Sequence, residues 1–193
     1  GRPSTIRPPT PHRRHTPTMN DRDDSPERRT LVGQRRFPQL VDDGGWEYAE
    51  RVRGTDVVAV VAVTDEDCLV LTEQYRPAVK RHVIDLPAGL AGDSREFHGE
   101  GPEVAAAREL EEETGFRAES FTPLTTIPTS PGLTSETVTL FAAERLRRTG
   151  AGGGDAGESI TVHIVSLAEL PRWLQAQQAA GRLIDPKVYA GLL

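Results

Sequence analysis

The chain has 193 residues, and its 29 acidic side chains outnumber its 23 lysines and arginines, for a formal net charge of −6. This length suits one domain with a short appendage, and the acidic balance argues against a protein that coats DNA or RNA. The single cysteine, Cys68, excludes an intrachain disulfide and a metal site built from several thiolates, and it favours a reducing, cytoplasmic location. No apolar run approaches the roughly 18 residues that span a membrane. Neither a nucleic-acid nor a membrane partner is predicted.

Residues 1–28 differ in composition from the rest of the chain. They contain six Pro and six Arg, and Ile6 is their one aliphatic side chain. Because such a segment buries too little apolar surface to offset its ordering entropy, it is predicted to be a disordered tail. Met19 is a candidate translational start within it. A nucleic-acid-binding arm is the alternative, disfavoured because no aromatic residue is interleaved with the arginines.

The next segments are typical of strands. Residues 29–56 are predicted to form short N-terminal β strands, with a hairpin around the turn at 42–45. The β-branched run 57–64 is predicted to be a strand buried on both faces. Residues 68–76 and 82–90 are predicted to form one strand each, and 92–101 a polar loop.

Pro102 to Thr114 is the clearest helix, since Pro stands in its first turn and Gly115 stands where a C-cap would. We expect residues 121–136 to be irregular, 137–146 and 160–167 to be strands, and 149–158 to be a flexible loop. Two C-terminal helices are predicted over 167–183 and 186–193. Mixed strands with a few helices indicate an α/β or α+β fold packed in layers.

The predicted helix carries four glutamates within five positions, 109–113. At about 100° per residue, Glu109, Glu112 and Glu113 share one face and Glu111 points the opposite way. A solvated acidic face is the simplest interpretation. However, like charges three or four residues apart destabilise a helix, most of all near its C-terminal end. Mg²⁺ or Mn²⁺ would relieve that repulsion, because both prefer carboxylate oxygens, waters and substrate phosphates.

The segment from Glu100 to Phe116 resembles the signature of the Nudix hydrolases, through Glu100, Arg108, Glu109, Leu110, Glu112, Glu113 and Gly115. The leading glycine of that signature does not stand at its usual spacing, and Gly89 is assigned to it, with a longer loop between Gly89 and Glu100. Residues 73–79, 86–90 and 130–136 resemble the flanking segments of ADP-ribose pyrophosphatases. Pro131, sixteen residues after Gly115, fits the same subfamily.

The resemblance implies a Nudix-type α/β/α sandwich with a mixed sheet over residues 57–193, preceded by the short N-terminal hairpin and the tail. It further implies that residues 29–56 help to form a homodimer, because the 46–51 segment resembles the strand that does so in that subfamily. The metal ligands would be Glu109, Glu113, Glu112 and the carbonyl of Ala88. Arg108 would orient a glutamate of the cluster, with Glu100, Gly89 and Gly115 in support.

The implied chemistry is attack of water on a diphosphate, for which a metal neutralises phosphate oxygens and acidifies a bound water. A carboxylate beyond the helix would be the general base: Glu158 first, then Asp155 and Glu136. The glycine-rich 149–157 segment would be either a lid carrying Glu158 or an ordinary connector.

Substrate contacts are expected from three arginines, Arg76, Arg51 and Arg53, whose planar forks suit phosphate. The alternative is that they are exposed charges at strand ends. Trp46 would stack on a base or pack in the core or a dimer interface. The predicted function is Mg²⁺-dependent hydrolysis of a nucleoside diphosphate linked to another moiety, ADP-ribose giving AMP and ribose 5-phosphate. The alternatives are an NDP-sugar pyrophosphatase acting on ADP-glucose or GDP-mannose, and a non-catalytic ADP-ribose sensor.

Overall fold

The computed structural model describes residues 29–52, 56–92, 99–154, 157 and 159–192. The predicted N-terminal tail and the residues Arg53, Asp155 and Glu158 lie outside these ranges. The strands are β1 (Arg29–Gln34), β2 (Pro38–Asp43), β3 (Trp46–Arg51), β4 (Val57–Ala62), β5 (Cys68–Arg76), β6 (Arg81–Asp85), β7 (Ala88–Leu90), β8 (Phe116–Arg117), β9 (Ser120–Pro128), β10 (Thr137–Glu144), β11 (Arg147–Arg148), β12 (Ile160–Ser166) and β13 (Leu183–Ile184). The helices are α1 (Pro102–Thr114), α2 (Leu170–Ala179) and α3 (Pro186–Ala190).

The N-terminal strands form an antiparallel sheet in the order β1-β2-β3. Gly44 and Gly45 make the turn between β2 and β3 with φ of 59° and 90°, values that favour glycine. The predicted hairpin is therefore present, and β1 adds a third strand to it. The sheet is attached to the rest of the chain through the Ala49 amide, which donates to the Leu133 carbonyl at 2.8 Å.

Two four-stranded sheets follow, in the orders β7-β4-β10-β9 and β12-β5-β6-β13. Both are mixed, because β4 pairs parallel with β10 and β6 pairs parallel with β13 while their other pairings are antiparallel. The mixed sheet expected from the sequence is therefore divided into two.

Helices cover the sheets on both faces. Strand β4 shows this most clearly, since Val58 and Val60 pack toward α1 and Ala59 packs toward α2 and α3. Strands β5 and β10 also supply side chains to both apolar clusters. The predicted burial of β4 on both faces and the α/β/α layering are confirmed.

The prediction of one strand over 82–90 is wrong, because the chain leaves one sheet after Asp85 and enters the other at Ala88. Pro87 has no amide hydrogen to continue the first ladder, while its carbonyl accepts from the Val60 amide at 2.8 Å in the second. This crossing brings the 86–90 segment against α1.

The prediction that 121–136 is irregular is wrong for its first half, since β9 occupies Ser120–Pro128, and right for 129–136, which form neither a strand nor a helix. Strand β9 is an edge strand, and Pro123 pairs with Phe141 where the register shifts. Edge positions and bulges are where a sheet tolerates proline, so the prolines that suggested a loop fit a strand here.

The first C-terminal helix is shorter than predicted. Helix α2 ends at Ala179, Gly181 follows with φ of 87°, and Leu183–Ile184 form β13 instead of a last helical turn. Among the described residues, none of the helices has the length and apolar content that crossing a membrane requires.

Candidate active site

Helix α1 presents two of its glutamates to a cleft because its other face is used for packing. Ala105, Ala106 and Leu110 are fully buried against the sheets. Glu109 and Glu113 consequently face the cleft, with exposed fractions of 14% for the Glu109 side chain and 6% for Glu113. Glu111 points elsewhere, as its helical angle predicted.

Arg108 joins the carboxylates beside the cleft. Its guanidinium binds Glu100 through two bonds of 3.0 and 3.1 Å, and it donates to Glu109 at 2.9 Å and to Glu112 at 3.0 Å. It also donates to the Leu90 carbonyl at 3.1 Å. Partial burial alone would lower the pKa of Arg108, but the hydrogen bond to Glu100 and the charge of Glu109 outweigh it and raise that pKa. Arg108 is thus a permanent cation bound to three acidic side chains.

Strand β7 lies along α1 and fixes two of the glutamates from the side. The Ala88 amide donates to Glu113 Oε2 at 2.9 Å. Because N–H and C=O of one strand residue point to the same side, the Ala88 carbonyl also faces α1. A Cβ at Gly89 would overlap the Glu109 carboxyl group, so only glycine allows that carboxylate to lie against the strand.

The cleft between α1, β7 and the C-terminal segment has a volume of about 770 Å³. It is lined by seven residues that were predicted for the site: Arg51, Arg76, Ala88, Gly89, Glu109, Glu113 and Glu136. Arg51 and Glu136 pair with each other at 2.6 Å. Arg76 is exposed at the end of β5. The structure therefore brings carboxylates and arginines to one cavity.

Other predicted residues lie outside the lining of this cleft. Glu112 is 43% exposed and lies beside Arg108. Trp46 begins β3, at the opposite end of that strand from Arg51, and Pro131 is exposed in the loop that follows β9. Gly115 caps α1 with φ of 73°.

Sequence reasoning missed a charged group on the far wall of the cleft. Lys187 Nζ lies 3.1 Å from Asp85 and 2.8 Å from Asp185. Burial raises the pKa of Asp85 to about 6, although Lys187 opposes the shift. The available signal was an aspartate inside the apolar run 83–86, since a buried carboxylate needs a cation.

The donors of α1 and β7 suit a hard divalent cation. Among the described residues, the carboxylates of Glu100, Glu109 and Glu112 surround Arg108, and Glu113 lies beside them against the Ala88 amide. Carboxylate oxygens grouped in this way are the ligands that a hard divalent cation prefers. Within the described residues, no three acidic, His or Cys side chains already form a metal-binding group. Glu112 would have to leave Arg108 to join the ligands.

The fold and the carboxylate-bearing helix define a Nudix hydrolase. The NUDIX domain family model matches residues 54–189, and the chain belongs to that family, whose hydrolases generally use divalent metal ions. The chain is 35% identical over 146 residues to the methanol dehydrogenase activator of Bacillus methanolicus, covering 75% of this chain and 74% of that protein. It is 32% identical over 164 residues to the ADP-ribose pyrophosphatase of Mycobacterium tuberculosis, covering 84% and 75%. A solved structure described as an ADP compounds hydrolase superposes with a TM-score of 0.60 at 24% identity, over 76% of this chain and 80% of that one.

Proposed function

We propose that this enzyme hydrolyses ADP-ribose to AMP and ribose 5-phosphate with Mg²⁺, or Mn²⁺ in its place. The observation that carries the proposal is the 770 Å³ cleft, in which Glu109 and Glu113 face the same space as Arg51 and Arg76. A diphosphate needs a metal cation or an arginine on its oxygens: the two carboxylates would hold the cation, and the two arginines would contact the oxygens directly. The activity named for the M. tuberculosis relative supports ADP-ribose as the substrate.

The proposed metal ligands are Glu109, Glu113, Glu112 and the carbonyl of Ala88. The metal would acidify a water and neutralise the diphosphate. Arg108 would hold Glu109 in place and, through Glu100, keep its own position, while Glu112 would move from Arg108 to the metal. Gly89 and Gly115 would serve by allowing close backbone approach.

The proposed substrate contacts are three arginines. Arg76 and Arg51, which line the cleft, would bind phosphate oxygens, and Arg53 is proposed as a further phosphate contact. Glu136 holds Arg51 at 2.6 Å and so orients it. Trp46 and Pro131 would contribute to a base-binding wall only across a dimer, because neither lines the cleft of its own chain.

Glu158 remains our proposed general base, ahead of Asp155 and Glu136. The Glu136 carboxylate is already bound to the Arg51 guanidinium, and this contact supports ranking Glu136 last.

We further propose that residues 29–56 form the dimer contact and residues 57–193 the catalytic domain. The N-terminal sheet and its connecting loop expose Leu31, Val32 and Phe37 by 53%, 53% and 64%, and apolar side chains grouped on one small sheet favour association. Light scattering should report a dimer, and Phe37→Ser should shift it toward monomer. A wild-type monomer at micromolar concentration would refute the contact.

The single Cys68 favours a cytoplasmic location.

The test is a hydrolysis screen with and without EDTA, using ADP-ribose, ADP-glucose, GDP-mannose, NADH and a nucleoside triphosphate, with products separated by chromatography. Preference for ADP-ribose that EDTA abolishes is the expected result. Preference for an NDP-sugar would keep the chemistry and replace the substrate. Tight binding of ADP-ribose without turnover would indicate a sensor instead.

A further inference from the structure

The glycine-rich segment after β11 returns to the C-terminal end of α1 and binds it through its backbone. The Gly153 amide donates to the carbonyl of Glu113 at 2.8 Å, and the Gly154 amide donates to that of Glu112 at 3.1 Å. Glu112 and Glu113, whose backbone carbonyls accept these hydrogen bonds, are two of the proposed metal ligands. We call residues 149–154 the glycine clasp.

The other end of the glycine clasp holds the residue that ends the helix. The amides of Thr149 and Gly150 both donate to the Gly115 carbonyl, at 2.7 and 3.1 Å. Four backbone donors thus satisfy three carbonyls at the end of α1. Helix ends need such partners, but side chains or water usually supply them.

The two backbones approach so closely that neither allows a side chain. A Cβ on Gly152 would lie 2.6 Å from the Glu113 carbonyl oxygen and would also overlap the backbone of Thr114. A Cβ on Gly115 would lie 2.8 Å from the Gly152 nitrogen and overlap the Gly150 carbonyl. Since the obstructing atoms are backbone, a side chain at Gly152 can be accommodated only if the last turn of α1 and the glycine clasp move apart.

We propose that Gly152 is a positioning residue for the metal-binding carboxylates. Gly152 allows the glycine clasp to contact the last turn of α1. The clasp then determines the position of that turn along and around the helix axis, and so where Glu112 and Glu113 lie relative to Glu109 and strand β7. This inference deepens the proposed function and rests on it, because it assumes that these carboxylates bind a divalent cation.

The test compares Gly152→Ala with two matched alanine variants in the full chain. Gly181→Ala has a similar positive φ, 87° against 70°, but no atom within 4 Å of the new Cβ, so it controls for backbone strain. Gly150→Ala lies in the same segment, where the nearest atom to the new Cβ is 4.0 Å away. The Kd for Mn²⁺ is measured by electron paramagnetic resonance of the free ion, which needs no turnover.

We expect Gly152→Ala to weaken Mn²⁺ binding about tenfold or more, as loss of groups that orient metal ligands commonly does. Its kcat should fall at limiting Mn²⁺ and recover with excess Mn²⁺, while KM for ADP-ribose at saturating Mn²⁺ stays within about twofold. Gly181→Ala and Gly150→Ala should keep the wild-type Kd. A purely structural role would lower the melting temperature of Gly152→Ala and leave its Kd for Mn²⁺ unchanged, which would overturn the inference.

Three further outcomes are decisive. If circular dichroism shows that Gly152→Ala does not fold, Thr149→Val replaces it, because that change removes the hydroxyl that lies 3.2 Å from both the Gly115 carbonyl and Glu111 Oε1 and keeps the backbone donors of the glycine clasp; a wild-type Kd in Thr149→Val would overturn the inference. If the wild-type chain binds no Mn²⁺, the proposed function fails together with this inference. Wild-type turnover and Mn²⁺ binding with an equal Kd in Gly152→Ala would overturn the inference alone.

Discussion

Within the part of the chain that the structure describes, the Arg108 guanidinium makes four hydrogen bonds to carboxylates and one to the Leu90 carbonyl. A lysine in its place would keep the charge but lose the planar fork that binds Glu100 at two points. The arrangement of Glu109 and Glu112 therefore depends on the shape of this side chain as well as on its charge.

Arg108→Lys should lower kcat/KM about 10- to 100-fold while the protein stays folded. The matched control is Arg117→Lys, which alters an exposed ion pair with Glu111 on the other side of the same helix and should have little effect. Steady-state kinetics with ADP-ribose and thermal unfolding of both variants check this. Equal kinetics for the two variants would contradict the orienting role.

The four glutamates within residues 109–113 of α1 allow a second test at single positions. Glu112→Gln or Glu113→Gln should reduce turnover by about 100-fold or more, because an amide oxygen binds Mg²⁺ without charge. In Glu113→Gln the side-chain amide oxygen can still accept from the Ala88 amide, so folding should survive. Glu111→Gln is the control, since Glu111 binds Arg117 and Thr149 away from the cleft. Activity of Glu112→Gln near the wild-type rate would refute the ligand set.

At this scale the sequence identified the residues of α1 because helical periodicity is a local property. It did not identify Asp85 and Lys187, which are 102 residues apart (187 − 85) and meet only after β6 and β13 pair. It did not exclude Trp46 from the cleft either, because the direction of β3 relative to the cleft is a property of the tertiary structure.

At the scale of elements, strand β7 and helix α1 form one unit. The Cβ of Gly89→Ala would overlap the end of a flexible side chain, Glu109, and not backbone. We therefore expect a small loss of stability but a displaced carboxylate. Mn²⁺ affinity should fall about tenfold, with the melting temperature close to wild type. Gly132→Ala, whose Cβ meets no atom within 4 Å, is the control. Unchanged Mn²⁺ affinity in Gly89→Ala would show that Glu109 is not a ligand.

Elements with their own local signals were predicted well. The bounds of α1 and β5 agree with the sequence prediction, and Pro102 and Gly115 mark the two ends of α1. Strand β9 was missed because its prolines are acceptable only at an edge, and edge position is decided by pairing with β10. The prediction of one 82–90 strand failed for a similar reason, since the change of sheet at Pro87 depends on β4.

At the scale of the whole molecule, the buried carboxylates of Asp85 and Glu73 should make the free energy of unfolding depend on pH in opposite directions. Burial raises the pKa of Asp85 to about 6, so its folded form binds the proton more tightly and stability rises as pH falls from about 6 toward the unfolded value near 3.8. Burial alone would raise the pKa of Glu73, but hydrogen bonds from Arg182 and His163 outweigh burial and lower that pKa. Its stabilising contribution is lost as pH falls below about 4.5.

Denaturant unfolding of wild type, Asp85→Asn and Glu73→Gln across pH 3 to 7 checks the prediction. The free energy of unfolding of wild type minus that of Asp85→Asn should rise as pH falls from 7 to 5. The corresponding difference for Glu73→Gln should fall below pH 4.5. If both differences in unfolding free energy changed in the same direction as pH falls, the pKa shift assigned to one of the two groups would be wrong.

The parallel pairing of β4 with β10 sets the order in which this chain can fold during synthesis. Val57 pairs with Val138, 81 residues later (138 − 57). At 5 to 20 residues per second, translation leaves the β10 edge of β4 unpaired for roughly 4 to 16 s, although β7 can pair with the other edge earlier. Strand β4 is a β-branched, uncharged segment, the kind that associates with other chains when an edge is unpaired. The nascent chain is consequently vulnerable to aggregation through this edge between the emergence of β4 and that of β10, before β10 completes the sheet on which α1 packs.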